Sequence, residues 1–304
     1  MTMRVPRLLL AVVMMGALST PLAAQQDFSD VQIQTERLTE GLFVLIGSGG
    51  NIGLSIGEDG PFVVDDQFAP LTEKIKMAIA ELTDRDVVWV LNTHWHGDHT
   101  GGNENFGEGG AFIVAHDNVF KRLNPAEFRE LVGERSSQMP EAGLPVVTFD
   151  RTMTFHWNGE DIHIFHVAHA HTDGDAVVHF KKGDVVHMGD TFFNGFYPFI
   201  DVDSGGNVNG MIRTAEAVLA FATSNTKIIP GHGPVTDVIG LRSYRDMLMT
   251  VRDRVLTMVN DGASQEEVVA SKPTAEFDAA LASRGDQWTD RFVVSVYRSL
   301  AEGH

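Results

Sequence analysis

The sequence predicts an α/β protein built from two β-sheets with helices on their outer faces. Short apolar runs alternate along the chain with longer segments in which apolar residues recur at helical spacing. Polar turns rich in Gly, Asn and Asp separate these segments, and no linker rich in Gly, Ser or Pro divides the chain. This alternation is typical of sheets that are covered by helices.

The two halves of the chain share this organisation. In the first half, the pattern predicts strands at residues 41–46, 52–56, 62–65, 87–91 and 112–115. It predicts helices at 71–82, 118–123 and 126–135, and a loop at 139–145. In the second half, strands are predicted at 152–156, 161–167, 176–180, 185–188 and 227–229. Helices are predicted there at 208–222, 238–259, 266–270 and 289–301.

Residues 1–24 have the pattern of an export signal peptide. Arg4 and Arg7 precede an apolar stretch at residues 8–18, and Ala23 and Ala24 provide small residues for cleavage. The stretch is too short for a membrane anchor, because a spanning helix needs about 20 residues. We therefore expect residues 25–304 to form a single domain that is periplasmic or secreted.

Composition excludes several classes of function. The chain has no cysteine, so disulfides, thiol nucleophiles and thiolate metal ligands are excluded. Its formal charge of −18 would become more negative by two with the loss of Arg4 and Arg7, and this argues against nucleic-acid partners. We expect a small-molecule substrate, and the sequence leaves the oligomeric state open.

The most informative segment of the chain is a dense cluster of metal-ligand residue types. It follows the apolar run at residues 87–91 and reads His94-Trp95-His96-Gly97-Asp98-His99. Residues 100–103, with two glycines, cannot extend the strand. The cluster is therefore predicted at the carboxyl end of a strand, where α/β proteins place their sites.

Three further candidate ligands follow apolar runs in the same way: His171, Asp190 and His232. A lone loop histidine is usually a surface or capping residue, but repeated placement at strand ends indicates one shared site. His169 competes with His171. We prefer His171 because the turn at residues 172–174 fixes its ring at a loop corner.

Taken together, these motifs resemble those of the metallo-β-lactamase-fold superfamily of binuclear zinc hydrolases. The matching positions cover roughly residues 40 to 235 and are Asp65, His94, His96, Asp98, His99, His171, Asp190 and His232. The resemblance implies a four-layer αβ/βα sandwich with two zinc ions per chain. It implies His94, His96 and His171 on the first zinc, Asp98, His99 and His232 on the second, Asp190 bridging both, and Asp65 orienting a ligand.

The implied reaction is hydrolysis without a side-chain nucleophile. Two zinc ions would supply a hydroxide that attacks a carbonyl carbon, and Asp98 would steer it and move protons. The expected substrate is a β-lactam-like cyclic amide. Lactones, esters and thioesters are the alternatives, the last as in hydroxyacylglutathione hydrolases. A second alternative is an iron-dependent oxidoreductase of the same fold, although that branch typically offers Glu where this chain has His96.

The aromatic segment at residues 192–199 is the predicted substrate wall, with core packing as the competing interpretation. Within it, Phe193 and Asn194 are candidate substrate-binding residues, and Tyr197 is a candidate donor to an oxyanion. The best-known β-lactamase subclasses resemble this site but have Cys at Asp190 and Lys at Phe193. One anchor for a substrate carboxylate is therefore absent from its usual position.

Other motifs carry less information. Gly53-Leu54-Ser55-Ile56-Gly57 matches a nucleophile elbow, but Ser55 lies in an alternating strand and a turn follows it. Gly47-Ser48-Gly49-Gly50-Asn51 is interpreted as a turn that flanks the substrate. Residues 201–206 resemble the start of a calcium loop, but Ile212 stands where that loop needs Glu, so a surface turn is predicted.

Overall fold

The computed structural model describes residues 27–124 and 139–301. The predicted signal peptide at residues 1–24 and the predicted helix at 126–135 lie outside the described residues. Contacts between Cα atoms divide the chain into Met1–Asp30 and Val31–His304. Of the first unit, the structure describes a turn at residues 29–30, and every helix and strand below belongs to the second.

The first sheet has seven strands that follow one another in chain order. Strands β1 to β4 pair in antiparallel fashion, and β4 to β7 are parallel. The strands are β1 (Gln34–Thr39), β2 (Leu42–Ile46), β3 (Ile52–Ser55), β4 (Phe62–Val64), β5 (Trp89–Leu91), β6 (Phe112–His116) and β7 (Val147–Phe149).

The second sheet has five strands in the order β12-β11-β10-β9-β8. All neighbours are antiparallel except β11 and β12, which are parallel. The strands are β8 (Thr152–Trp157), β9 (Glu160–His166), β10 (Ala176–Phe180), β11 (Val185–His187) and β12 (Lys227–Ile229).

Nine α-helices lie in the described part of the chain. Those of the first half are α1 (Thr72–Ala80), α2 (Gly97–Thr100), α3 (Asn103–Glu108) and α4 (Asp117–Leu123). Those of the second half are α5 (Val208–Leu219), α6 (Val238–Asn260), α7 (Gln265–Ala270), α8 (Asp278–Leu281) and α9 (Asp286–Ala301). None of these helices is both long and apolar enough to cross a membrane.

Alternation of side chains gives each sheet two buried faces. One apolar cluster lies between the sheets, where Phe62 and Val64 of the first meet Ile164 and Phe180 of the second. A second cluster joins the other face of the second sheet to α5, α6 and α9, while α3 and α4 contact β6 of the first sheet. The prediction of an α/β sandwich with helices outside two sheets is confirmed.

The sequence patterns did not predict two of the strands, and they predicted a third strand that is longer than the one observed. Strand β1 is exposed at its first four residues, so it lacks the apolar alternation that marks a half-buried strand. Strand β7 has three residues, too few for a pattern. The apolar run at 87–91 forms a strand only over Trp89–Leu91. The predicted loop at 139–145 contains a short 3₁₀ helix at Glu141–Gly143.

The fold brings five strand ends to one edge of the sandwich. Strands β4 and β5 are parallel, as are β11 and β12, so their carboxyl ends lie side by side. The β9–β10 connection reaches the same edge because β10 runs antiparallel to β11. The two sheets meet there, where Ala176 N donates a hydrogen bond to Thr93 O at 2.8 Å. The polar residues after these strands therefore converge.

The layer between the sheets should dominate stability. Phe180 is 1 % exposed within it, whereas Phe112 is 50 % exposed at the surface. We expect Phe180→Ala to lower the free energy of unfolding by about 3–5 kcal/mol, because it removes buried area and leaves a cavity. The matched control Phe112→Ala should cost about 1 kcal/mol or less. Urea unfolding measures both, and equal losses would contradict this description of the core.

Candidate metal centre

The first set of candidate ligands consists of three imidazole rings. His94 and His96 follow β5, and His171 lies in the β9–β10 connection. His96 Nδ1 lies 3.1 Å from His94 Nε2 and 2.9 Å from His171 Nε2. His94 and His171 are fully buried, and the side chain of His96 is partly buried. Three ring nitrogens thus point at one small volume.

The partners of the other ring nitrogens show which atoms carry lone pairs. His171 Nδ1 lies 2.9 Å from the Phe199 carbonyl oxygen, which can only accept, so Nδ1 carries the proton. His96 Nε2 likewise donates to Asp201 Oδ2 at 2.9 Å. The lone pairs of His171 Nε2 and His96 Nδ1 therefore face each other. Two lone pairs at this separation repel unless a cation lies between them.

The second set comprises Asp98, His99 and His232. Asp98 and His99 belong to α2, and His232 follows β12. His232 Nε2 lies 3.2 Å from Asp98 Oδ2 and 3.4 Å from His99 Nε2. His99 is buried completely, whereas the Asp98 side chain is 25 % exposed. Asp98 is therefore a ligand candidate that solvent and substrate can also reach.

Asp190 lies between the two sets and turns one oxygen toward each. Its Oδ2 is 3.5 Å from His171 Nε2 and 3.9 Å from His94 Nε2. Its Oδ1 is 3.1 Å from His99 Nε2 and 3.4 Å from His232 Nε2. Oδ1 is buried and has no well-aligned hydrogen-bond partner within the described residues. A buried carboxylate oxygen without a hydrogen-bond partner needs an explanation, and a role as a bridging metal ligand provides one.

Asp65 orients one ligand of each set. Its backbone has a positive φ of 64°, a conformation that is strained for a residue with a side chain. The carboxylate accepts hydrogen bonds from His99 Nδ1 at 2.7 Å and from Thr93 N and Oγ1 at 2.7 and 2.8 Å. Thr93 Oγ1 in turn lies 3.1 Å from His94 Nδ1. Both rings therefore direct Nε2 toward the centre.

Charges in the centre shift the pKa values of its groups in opposite directions. Burial lowers the pKa of His171 to about 4. Burial acts to raise the pKa of Asp98, but the charge of His99 and the hydrogen bond from His232 outweigh it and lower that pKa to about 2. Burial acts to lower the pKa of His232, but Asp190 and Asp98 raise it to about 9. The carboxylates thus favour positive charge at the second set.

The donor set fits two metal ions. Two groups of ligand atoms each lie within 4.8 Å of one another: His94, His96, His171 and Asp190 in one, and Asp98, His99 and His232 in the other. All donors are nitrogen or oxygen, which suits zinc and other divalent transition metals. The structure brings together all seven residues that the sequence predicted as ligands.

Two glycines allow the chain to approach these ligands. A Cβ atom at Gly50 would overlap the His99 ring, and one at Gly231 would overlap Asp190 Oδ1. The segment at residues 47–51, predicted as a turn that flanks the substrate, lies against the second set through Gly50. It is tied to the strand ends by Asn51 N, which donates to Gly231 O at 2.7 Å.

The structure corrects the expectation for Tyr197. Its side chain is fully buried, and its hydroxyl donates to Asp278 Oδ1 at 2.7 Å and lies 3.2 Å from Thr274 O. Burial and the neighbouring Asp278 raise the pKa of the phenol. The hydroxyl is thus committed to α8, so Tyr197 does not donate to an oxyanion at the centre. It anchors the aromatic segment instead.

The other aromatic-segment residues lie beside the second set. The Phe193 ring stacks on the His232 ring, with centroids 5.4 Å apart and an angle of 18°. Phe193 is buried, so core packing, the competing interpretation, also applies to it. The Asn194 side-chain amide donates to Pro234 O at 2.8 Å and fixes the loop that carries His232. Phe199 is 38 % exposed, with its ring centre 6.2 Å from that of His96.

Asp201 is a site residue that the sequence analysis did not identify. The calcium-like spacing was interpreted as a surface turn, yet the Asp201 side chain is 14 % exposed and accepts a hydrogen bond from His96. Its Oδ1 also accepts from Ser204 N at 3.2 Å. Its distance along the chain from His96 hides this pairing. An acidic residue directly after an aromatic wall segment was the only available indication.

Comparison with known proteins agrees with this geometry. Residues 45–232, more than half of the chain, match the metallo-beta-lactamase superfamily. The chain therefore belongs to this superfamily and is a metal-dependent hydrolase, which confirms the resemblance seen in the motifs. A hydroxyacylglutathione hydrolase of Polaromonas sp. strain JS666 is 26% identical over 216 residues, covering 70% of this chain and 74% of that protein.

Solved structures show the same fold. The DIM-1 metallo-beta-lactamase matches with a TM-score of 0.58 at 20% identity, covering 73% of this chain and 99% of that chain. The stereoselective inverting sec-alkylsulfatase Pisa1 from Pseudomonas sp. matches with a TM-score of 0.69 at 16% identity. That match covers 90% of this chain and 51% of the sulfatase chain. At these identities the likeness concerns the fold alone.

The Asp201–His96 hydrogen bond should tune metal affinity. We expect Asp201→Asn to weaken metal binding at the first set by about 10- to 100-fold, because the His96 ring loses the carboxylate that orients it. Competition with a chromogenic chelator measures this affinity. Asp203→Asn is the matched control, since Asp203 is exposed and pairs with Arg298. Equal affinities for the two variants would contradict a role for Asp201.

Proposed function

We propose that this protein is a two-zinc hydrolase of acyl ester and thioester bonds. The observation that carries the proposal is Asp190, whose two oxygens each face a different ligand set. Such a carboxylate can hold two metal ions close together, as two-metal hydrolases require. The ligand His96 supports zinc over the two-iron alternative, which typically has Glu at that position.

Each residue of the centre has a role in this proposal. His94, His96 and His171 would hold one ion, and Asp98, His99 and His232 the other, with Asp190 between them. Bound zinc would supply an activated water and polarise the substrate carbonyl. Asp98, the most accessible ligand carboxylate, would accept the proton from that water. In the reaction a C–O bond forms, the C–S or C–O bond to the leaving group breaks, and the leaving group takes a proton.

Thioesters and esters are placed ahead of cyclic amides, which the sequence analysis expected first. The relative from Polaromonas is named as a hydroxyacylglutathione hydrolase. In addition, Phe193 occupies the position at which the best-known β-lactamases have a carboxylate-binding lysine, and it is buried against His232. β-Lactam opening and lactone opening remain the alternatives. Export would favour β-lactam opening, because β-lactamases act outside the cytoplasm.

We also propose that the protein acts in the periplasm or outside the cell. The support is the pattern of residues 1–24, in which Arg4 and Arg7 precede an apolar stretch and small residues follow. Comparison of the N-terminus of the protein recovered from a periplasmic extract with the encoded sequence tests this. An uncleaved cytoplasmic protein would contradict it.

The substrate class can be tested with the zinc-loaded protein. We expect chelator-sensitive hydrolysis of a simple acetyl thioester and a phenyl ester, with slower turnover of a homoserine lactone and of a chromogenic cephalosporin. Initial rates with and without chelator measure this. Fast, chelator-sensitive cephalosporin opening with inert thioesters would overturn the preference for thioesters and support the alternative. A purified protein coloured by iron would favour the redox alternative.

Loss of a ligand from either set should abolish turnover. We expect His96→Ala and Asp98→Ala each to lower kcat/KM by at least about a thousandfold, because each removes a donor to one ion. Total zinc measured by mass spectrometry should fall from two ions per chain toward one. The control is His156→Ala, which changes a largely exposed histidine on β8. Near-normal activity in either ligand variant would contradict the site assignment.

A further inference from the structure

A positively charged side chain from the C-terminal part of the chain packs on the aromatic segment at residues 192–199. Arg284 belongs to the connection between α8 and α9. Its guanidinium carbon is 3.7 Å from the centre of the Phe196 ring and 4.8 Å from that of Trp288. The neighbouring Ser283 hydroxyl lies 3.4 Å from the Gly195 carbonyl oxygen, which joins the two loops.

The aromatic support for this guanidinium is itself fixed. Trp288 Nε1 donates to the Tyr197 carbonyl oxygen at 2.7 Å, and the Tyr197 hydroxyl donates to Asp278. Phe196 is 8 % exposed. Ring faces attract a guanidinium without using its N–H groups, which lie in the plane of the group. The support therefore positions Arg284 and leaves its donors available.

In the described part of the chain, no residue partners those donors. Within residues 27–124 and 139–301 the guanidinium forms no ion pair and no hydrogen bond. Other arginines of this acidic chain do pair with carboxylates, among them Arg122 with Asp173, and Arg254 with Glu276. The chain has 41 acidic and 23 basic residues, yet none of the described acidic residues pairs with this arginine.

A row of packed aromatic rings connects this arginine to the metal centre. The Phe196 ring centre is 5.6 Å from that of Phe193, which stacks on the ligand His232. Burial lowers the pKa of Arg284, and the charges of Asp190 and Asp98 act in the opposite direction. Arg284 itself is exposed, so the packed rings place an accessible guanidinium on the His232 side of the centre.

We propose that Arg284 binds a carboxylate on the substrate and makes the enzyme selective for anionic acyl compounds. A planar guanidinium donates two parallel hydrogen bonds to a carboxylate, which gives both affinity and orientation. Arg284 thereby binds the carboxylate that a lysine binds in the best-known β-lactamases, where this chain has the uncharged Phe193. This inference rests on the proposed hydrolysis of esters and thioesters.

The test uses acetyl thioesters of ω-mercaptoalkanoic acids of increasing chain length, each paired with its carboxamide. The members of a pair differ only in the negative charge. With the wild-type protein we expect kcat/KM to favour the carboxylate over the carboxamide, with an optimum chain length that measures the distance from the centre to Arg284. Arg284→Gln should reduce that preference about tenfold, mainly through KM, and Arg284→Lys should retain part of it.

The control is Arg151→Gln, which removes the same charge from an exposed side chain that lies 4.0 Å from Asp150. It should leave the preference unchanged. If Arg284→Gln and Arg151→Gln behave alike, Arg284 only supports the aromatic segment and the proposal is wrong. If Arg284→Gln lowers kcat/KM by the same factor for the carboxylate and the carboxamide, the proposal is also wrong.

A binding measurement separates this proposal from the proposed function. The free ω-mercaptoalkanoic acids and their carboxamides are titrated calorimetrically into the zinc-loaded protein. We expect tighter binding of the acid, with the difference lost in Arg284→Gln. If neither thioester series is hydrolysed, the proposed function fails while this titration still tests Arg284. If both series are hydrolysed and acid and amide bind alike, the Arg284 proposal alone fails.

Discussion

The central constraint on this structure is that the fold holds ligand atoms close together although their lone pairs repel one another. Imidazole nitrogens of His96 and His171 face each other at 2.9 Å, and the buried Oδ1 of Asp190 has no well-aligned protein donor. In a buried site such groups are costly unless a cation lies among them. The fold accepts this cost because the strand ends that carry the groups are held by two sheets and their apolar layer. A metal ion bound among these groups would remove the repulsion, and the energy released would add to its affinity.

The groups around the centre determine which atoms meet the metals. Asp65, held in a strained backbone conformation, accepts from His99 and from Thr93, and Thr93 contacts His94. Asp201 does the same for His96. These carboxylates orient the His99 and His96 rings, so that the other nitrogen of each ring faces the centre. Asp98, the accessible carboxylate of the centre, is the one to which the proposed function gives proton transfer.

The second half of the chain supplies the groups to which we assign substrate recognition. Aromatic rings extend from His232 through Phe193 and Phe196 to the guanidinium of Arg284. Tyr197 was expected to donate to an oxyanion. Its hydroxyl instead donates to Asp278 and so fixes the aromatic segment. In the proposed function, reaction and recognition depend on different parts of the fold. The strand ends hold the ligands, and the C-terminal helices shape the approach to them.

The sequence by itself determined the fold class and the seven ligand candidates, because apolar periodicity and dense histidine and aspartate motifs are local patterns. It missed β1, whose exposed residues lack alternation, and β7, which is too short to show one. Only the tertiary structure assigned Asp201 to His96, 105 positions away, and turned the Tyr197 hydroxyl from the centre. These pairings join side chains that are far apart in the sequence, and no local spacing in the chain encodes them.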